Sequence, residues 1–130
     1  MDFKKIKDCP SSDRGVLKAQ KAWAALTQAA INEEKLTYQE LGDLIQHPFR
    51  RLMPIIAYIG RFCYMNELPY LPVLCVRKDT GWPGGGFENP KKDTEAVYAF
   101  PWEDYPIPSI EQFRTAYAQY KLEKELEDLV

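Results

Sequence analysis

Apolar residues at Val16, Ala19, Trp23, Leu26 and Ala30 recur at steps of three and four, with Lys18, Lys21 and Gln28 on the other faces. That period predicts an amphipathic helix. Ser11, Ser12 or Asp13 can cap its start, and the polar run INEEK closes it. In LTYQELGDLIQHPF, Thr37 with Glu40 three residues later forms a capping box. It opens a short helix carrying Leu41, Leu44 and Ile45, which QHP ends because a residue before proline avoids helical geometry. A second helix is expected from Phe49 to Asn66, with Pro54 tolerated in its first turn. The two together read as a helix-turn-helix.

The apolar, β-branched run LPYLPVLCVRK predicts a strand ending at DTG. NPKKDT reads as a loop, and EAVYAF as a short strand that pairs back to complete a small β-wing. PWEDYPIPS, with its prolines, is an irregular connection. Ser109 and Gln112 make another capping box, opening a helix with Ile110, Phe113, Tyr117 and Tyr120 on one face. It runs out in an acidic amphipathic tail, KLEKELEDLV. The expectation is one α+β domain of winged helix-turn-helix type over residues 1–130. It has a flexible lead at 1–12, a long N-terminal helix, a small wing and a C-terminal amphipathic helix fraying over 121–130.

Composition narrows the function classes. With 130 residues, 45% of them hydrophobic and 13% aromatic, the chain can bury a core of its own. No apolar run is long enough to span a bilayer, and MDFKKIKDCP has no apolar stretch behind its lysines, so neither membrane span nor signal peptide is expected. Cys9, Cys63 and Cys75 are odd in number and widely spaced, and with the lone His47 they match no zinc pattern. A cytoplasmic setting follows. Charge is uneven: residues 1–78 hold 12 Lys/Arg against 8 Asp/Glu, and residues 79–130 hold 5 against 11. Only the first part could meet nucleic acid, and the sequence pI near 5.5 is far from that of a dedicated DNA-binding domain.

Candidate chemistry is sparse. Gly84-Gly85-Gly86 lacks the Lys-Ser/Thr ending of a phosphate loop. His47 sits in a helix-breaking turn, and Cys75 reads as a small buried residue of the strand. No nucleophile, base and orienting group assemble, so no enzyme, cofactor or metal is expected. Apolar side chains surround the middle of 52–59, which argues against base readout from that helix. Arg50 and Arg51 are expected in its first turn, either balanced by an anion, a DNA phosphate or an acidic protein group, or simply solvated and bonded to the acidic C-terminal helix.

The stretch AWAALTQAAINEEKLTYQELGDLIQHP, followed by LPVLCVRKDTGWPGGGF, resembles the C-terminal winged-helix domain of O6-alkylguanine-DNA alkyltransferases and alkyltransferase-like proteins. Thr37-Tyr38-Gln39-Glu40-Leu41 and His47-Pro48 carry the match. PVLCVRK contains no Pro-Cys-His-Arg, so Cys75 lacks the family's activating histidine, and the base-flipping arginine falls near Leu52, with Arg50 and Arg51 close by. The resemblance therefore implies the scaffold and not alkyl transfer. Residues 36–102 also look like an uncharacterised bacterial and phage domain that accompanies restriction or HNH-type nucleases. The function expected is a non-catalytic module on double-stranded DNA. Tyr38, Gln46, Arg50 and Arg51 would face phosphates at the helix-turn-helix, and Arg77 and Lys78 from the wing. Trp82 would anchor the wing loop or stack on the partner. The rival is a protein-interaction module or homodimer, such as a phage-encoded modulator of a host defence enzyme, acting through the apolar faces of 52–65 and the acidic helix from Glu111 to Val130.

Overall fold

A computed structural model describes residues 13–129. Helix α1, Asp13–Ile31, is the central element. Its stripe of Val16, Ala19, Ala22, Trp23, Leu26, Ala29 and Ala30 is buried, as the period demanded. The proposed caps Ser11 and Ser12, like the lead 1–12 and Val130, lie outside the described residues.

The chain then forms strand β1 (Leu36–Thr37), helix α2 (Tyr38–Ile45), a 3-10 turn (Phe49–Arg51) and helix α3 (Met53–Met65). A second 3-10 turn (Leu71–Leu74), strand β2 (Cys75–Val76), helix α4 (Pro90–Ala99), a third 3-10 turn (Trp102–Asp104) and helix α5 (Ile110–Asp128) complete it. The molecule is mostly helical with one two-stranded parallel sheet, an α+β arrangement. α3 packs against both α1 and α5. Between them the Trp23 indole meets Phe62, Trp102 and Phe113 edge-on, with centroids 5.5, 5.6 and 6.1 Å away. No helix among the described residues is long and apolar enough to cross a membrane.

Both capping boxes form. Thr37 Oγ1 accepts from the Glu40 amide at 3.0 Å, and the Glu40 carboxylate accepts from the Thr37 amide at 2.9 Å. Ser109 and Gln112 do the same at 3.1 and 2.8 Å. The Thr37 backbone and side-chain bonds hold the Glu40 carboxyl below its usual value. A carboxyl with a depressed folded pKa contributes stability present above its unfolded pKa and lost as pH falls through the folded one. Thr37→Ala is expected to cost about 1 kcal/mol at neutral pH. The deficit should shrink as acid protonates Glu40 in both proteins, read as urea midpoints between neutral pH and about pH 3.

Several expectations are corrected. The predicted helix from Phe49 to Asn66 is split: Phe49–Arg51 is a separate 3-10 turn, and α3 starts at Met53 with Pro54 in its first turn. Proline has no amide to donate, so the α-helical ladder begins afresh there. Arg50 and Arg51 consequently precede α3 instead of standing in its first turn. The expected strand over LPYLPVLCVRK is mostly the Leu71–Leu74 turn, leaving only Cys75–Val76 extended. Pro69 and Pro72 cannot donate to a ladder, and residues 71–76 are buried on every side, so periodicity could not separate strand from turn.

The segment expected as loop then strand, NPKKDT and EAVYAF, is helix α4. Asn89 caps it, its side-chain oxygen accepting from the Lys92 amide at 3.1 Å, and Pro90 occupies the first turn. Thr94 and Val97 are buried and Tyr98 half-buried, a helical spacing. With that strand gone, the expected wing pairing does not form. β2 pairs in parallel with β1 instead, Leu36 opposite Cys75 and Thr37 opposite Val76. α5 is helical through Asp128, across the acidic tail.

Candidate nucleic-acid interface

α2 ends abruptly because Gln46 adopts a left-handed conformation (φ 55°) and the His47 amide returns to the Gly42 carbonyl at 2.8 Å. Gly42 permits that return: a Cβ there would lie 2.7 Å from the His47 carbonyl oxygen. The Lys18 ammonium of α1 donates to the Ile45 and Gln46 carbonyls at 2.7 and 2.8 Å, placing a cation on the negative end of α2. The turn that follows presents Phe49, Arg50 and Arg51 to solvent. His47 Nε2 lies 3.2 Å from the Arg51 carbonyl oxygen.

Beside this turn lie two recesses that share Tyr38 and Met53. One, of about 470 Å³, is lined by Tyr38, Phe49, Met53, Arg77, Lys78 and Asp79 among others. The other, of about 970 Å³, lies between the starts of α2 and α3, Tyr70, the Gly84–Phe87 segment and the first turn of α4. Tyr70 and Phe87 stack edge-on at 5.6 Å on its wall, and Asn89, Lys92 and Asp93 supply polar groups. A Cβ on Gly84 would meet only the Tyr38 hydroxyl, at 3.8 Å, and one on Gly85 nothing within 4 Å. The glycines therefore leave the wall low and open.

Of the residues singled out from the sequence, Tyr38, Arg77 and Lys78 come together around the smaller recess. Arg50 and Arg51 stand next to its Phe49, the Arg50 guanidinium 5.7 Å from that ring. Gln46 and Trp82 line neither recess. Arg77 is already engaged: its Nε and Nη2 donate to the two Asp79 carboxylate oxygens at 3.1 and 2.9 Å. That bond, the largest effect on it, holds the Asp79 carboxyl below its usual value. The loop closes on itself through Gly81 amide to Arg77 carbonyl and Arg77 amide to Trp82 carbonyl bonds, both 2.9 Å. Lys35 reaches the loop from outside, its ammonium 3.7 Å from the Trp82 ring centroid and 3.3 Å from the Gly81 carbonyl oxygen.

Sequence reasoning missed Phe49, Met53, Tyr70 and Phe87, whose isolated apolar character carries no signal of a shared wall. Asn89-Pro90 did carry one, since that pair marks a helix start. Thiol chemistry is poorly supported here. Burial pushes the Cys75 thiol, on the larger recess, up to about 12, and Cys63 likewise up to about 12. Neither forms an appreciable thiolate near neutrality. Among the described residues, no group of three or more His, Cys, Asp or Glu is placed to hold a metal. No protein-family model, curated protein or solved structure matches this chain.

Proposed function

We propose that this chain is a non-catalytic module that binds double-stranded DNA along the edge formed by α2, the Phe49–Arg51 turn and Lys78. The observation that carries the reading is the aromatic-walled recess pair lying directly beside exposed Arg50, Arg51 and Lys78. Those cations meet backbone phosphates. The larger recess, with Tyr38, Tyr70 and Phe87 around it, offers stacking surfaces to a base drawn out of the helix. α3 does not enter a groove in this reading. Its inner face packs on α1 and α5, and its solvent side offers Met53 and Tyr64, which carry no pattern of donors for base edges.

Fluorescence anisotropy of a labelled random-sequence duplex tests this. With three phosphate contacts, affinity is expected to fall about 40-fold between 50 and 200 mM salt, from the counterion-release slope for about three neutralised phosphates. Arg50→Glu, Arg51→Glu and Lys78→Glu together are expected to abolish binding with the far-ultraviolet spectrum unchanged. Duplex affinity that survives the triple reversal sinks the proposal. A protein-interaction reading is favoured instead by the exposed Leu44, Phe49, Met53 and Tyr64 on the α2–α3 side. A wild-type chain with no measurable duplex affinity at low salt would return the assignment to it.

A further inference from the structure

Among the described residues, nothing covers the last turns of α5. Its buried residues are Phe113 and Ala116, and from Lys121 to Leu129 every residue is exposed. Yet Leu122, Leu126 and Leu129, spaced four and three apart, form one apolar stripe that is 57%, 54% and 81% exposed. Glu123, Glu125, Glu127 and Asp128 surround it against Lys121 and Lys124, and Lys124 is already bonded to Glu127 at 3.4 Å. The surplus charge is negative. Helices of this length draw most of their stability from packing an apolar face, so an unpacked leucine stripe points to a missing surface.

A surface of matching chemistry exists on α1. A shallow recess of about 420 Å³ is floored by Leu17, Ala24 and Ile107 and rimmed by Arg14, Lys18 and Lys21. Leu17 is 47% and Ile107 51% exposed. The Lys18 ammonium is committed to α2. Arg14 and Lys21 are exposed and have no ion-pair partner among the described residues. The recess thus pairs an apolar floor with uncompensated positive charge. The tail pairs an apolar stripe with uncompensated negative charge.

We propose that the α5 tail of one copy docks in the α1 recess of a second copy, the contact being made twice about a two-fold axis. Charge decides the occupant. Tail against tail would juxtapose acidic flanks, and recess against recess would juxtapose Arg14 and Lys21 with their own kind. The chain's own lead, with Lys4, Lys5 and Lys7 against Asp2 and Asp8, is net positive and so has the wrong sign for the recess. The reciprocal arrangement buries both apolar surfaces and closes the assembly at two copies.

Sedimentation velocity of the full chain over a concentration series is the test. The wild type is expected to dimerise, more weakly at high salt. Leu122→Glu with Leu126→Glu, and separately Leu17→Glu with Lys21→Glu, should each give monomers. All four positions are exposed, so folding is preserved, which circular dichroism checks. A labelled tail variant mixed with the recess variant should then form a weaker heterodimer, because one intact tail still faces one intact recess. Three outcomes overturn the proposal: a wild type monomeric at every concentration, either double variant remaining dimeric, or a mixture that stays monomeric.

Discussion

Trp23→Ala is expected to remove about 3–5 kcal/mol of stability. That is a large share of the roughly 5–15 kcal/mol by which a domain of this kind is held folded. The indole is fully buried and is the shared partner of three rings from α3, the Trp102 turn and α5. Its loss empties the place where those elements meet α1, and backbone fixed by helices cannot collapse to fill it. Urea denaturation followed by far-ultraviolet circular dichroism gives the number, and a loss below about 1 kcal/mol would show that the rings do not depend on one another. Trp23→Phe should cost much less. The indole N–H finds no hydrogen-bond partner among the described residues, and an unpaired buried donor carries a penalty of about 1–3 kcal/mol that phenylalanine relieves.

Leu52→Arg is the second large effect, and it bears on the interface. A functional arginine was expected near this position from the sequence, an expectation that no family or structural match supports. Leu52 is instead 0% exposed, at the junction between the Phe49–Arg51 turn and α3. Its carbonyl accepts the Ile56 amide at 2.9 Å, and its own amide reaches the Phe49 carbonyl at 3.3 Å. An arginine here must either bury an unpaired charge or pull the junction open to reach water. A loss of at least about 3 kcal/mol is expected, against less than about 0.5 kcal/mol for Arg50→Ala or Arg51→Ala on the exposed turn. Thermal melts of the three variants rank them. Should Leu52→Arg match the wild type and strengthen duplex binding, the burial argument fails.

The proposed interface was partly legible in the chain. The Thr37 capping box fixed the start of α2 and with it Tyr38, and QHP fixed where the turn begins. Arg50 and Arg51 were singled out, but their position was misjudged because Pro54 was read as tolerated within one helix and not as the point where α3 starts afresh. Arg77 and Lys78 were found as cations. That Arg77 is closed onto Asp79 depends on a loop whose ends meet through backbone bonds, which charge patterning does not encode.

Signals whose cause is local survive reading in one dimension. A cap, a proline stop or a stripe at helical spacing acts within a turn or two of backbone, so α1, α2 and α5 could be placed before any packing was known. The fate of residues 68–78 and 89–100 was different. A wholly apolar run satisfies a strand and a buried turn equally well, and Thr94 and Val97 acquire their inward face only from the elements around α4. The parallel pairing of Leu36–Thr37 with Cys75–Val76 joins segments nearly forty residues apart, so only the assembled core could choose it over the hairpin. The larger recess beside Tyr38 and Met53 follows from that assembly: Cys75 of β2, the first turn of α4 and the glycines at 84–86 meet around it, and the glycines bring no side chains to fill it.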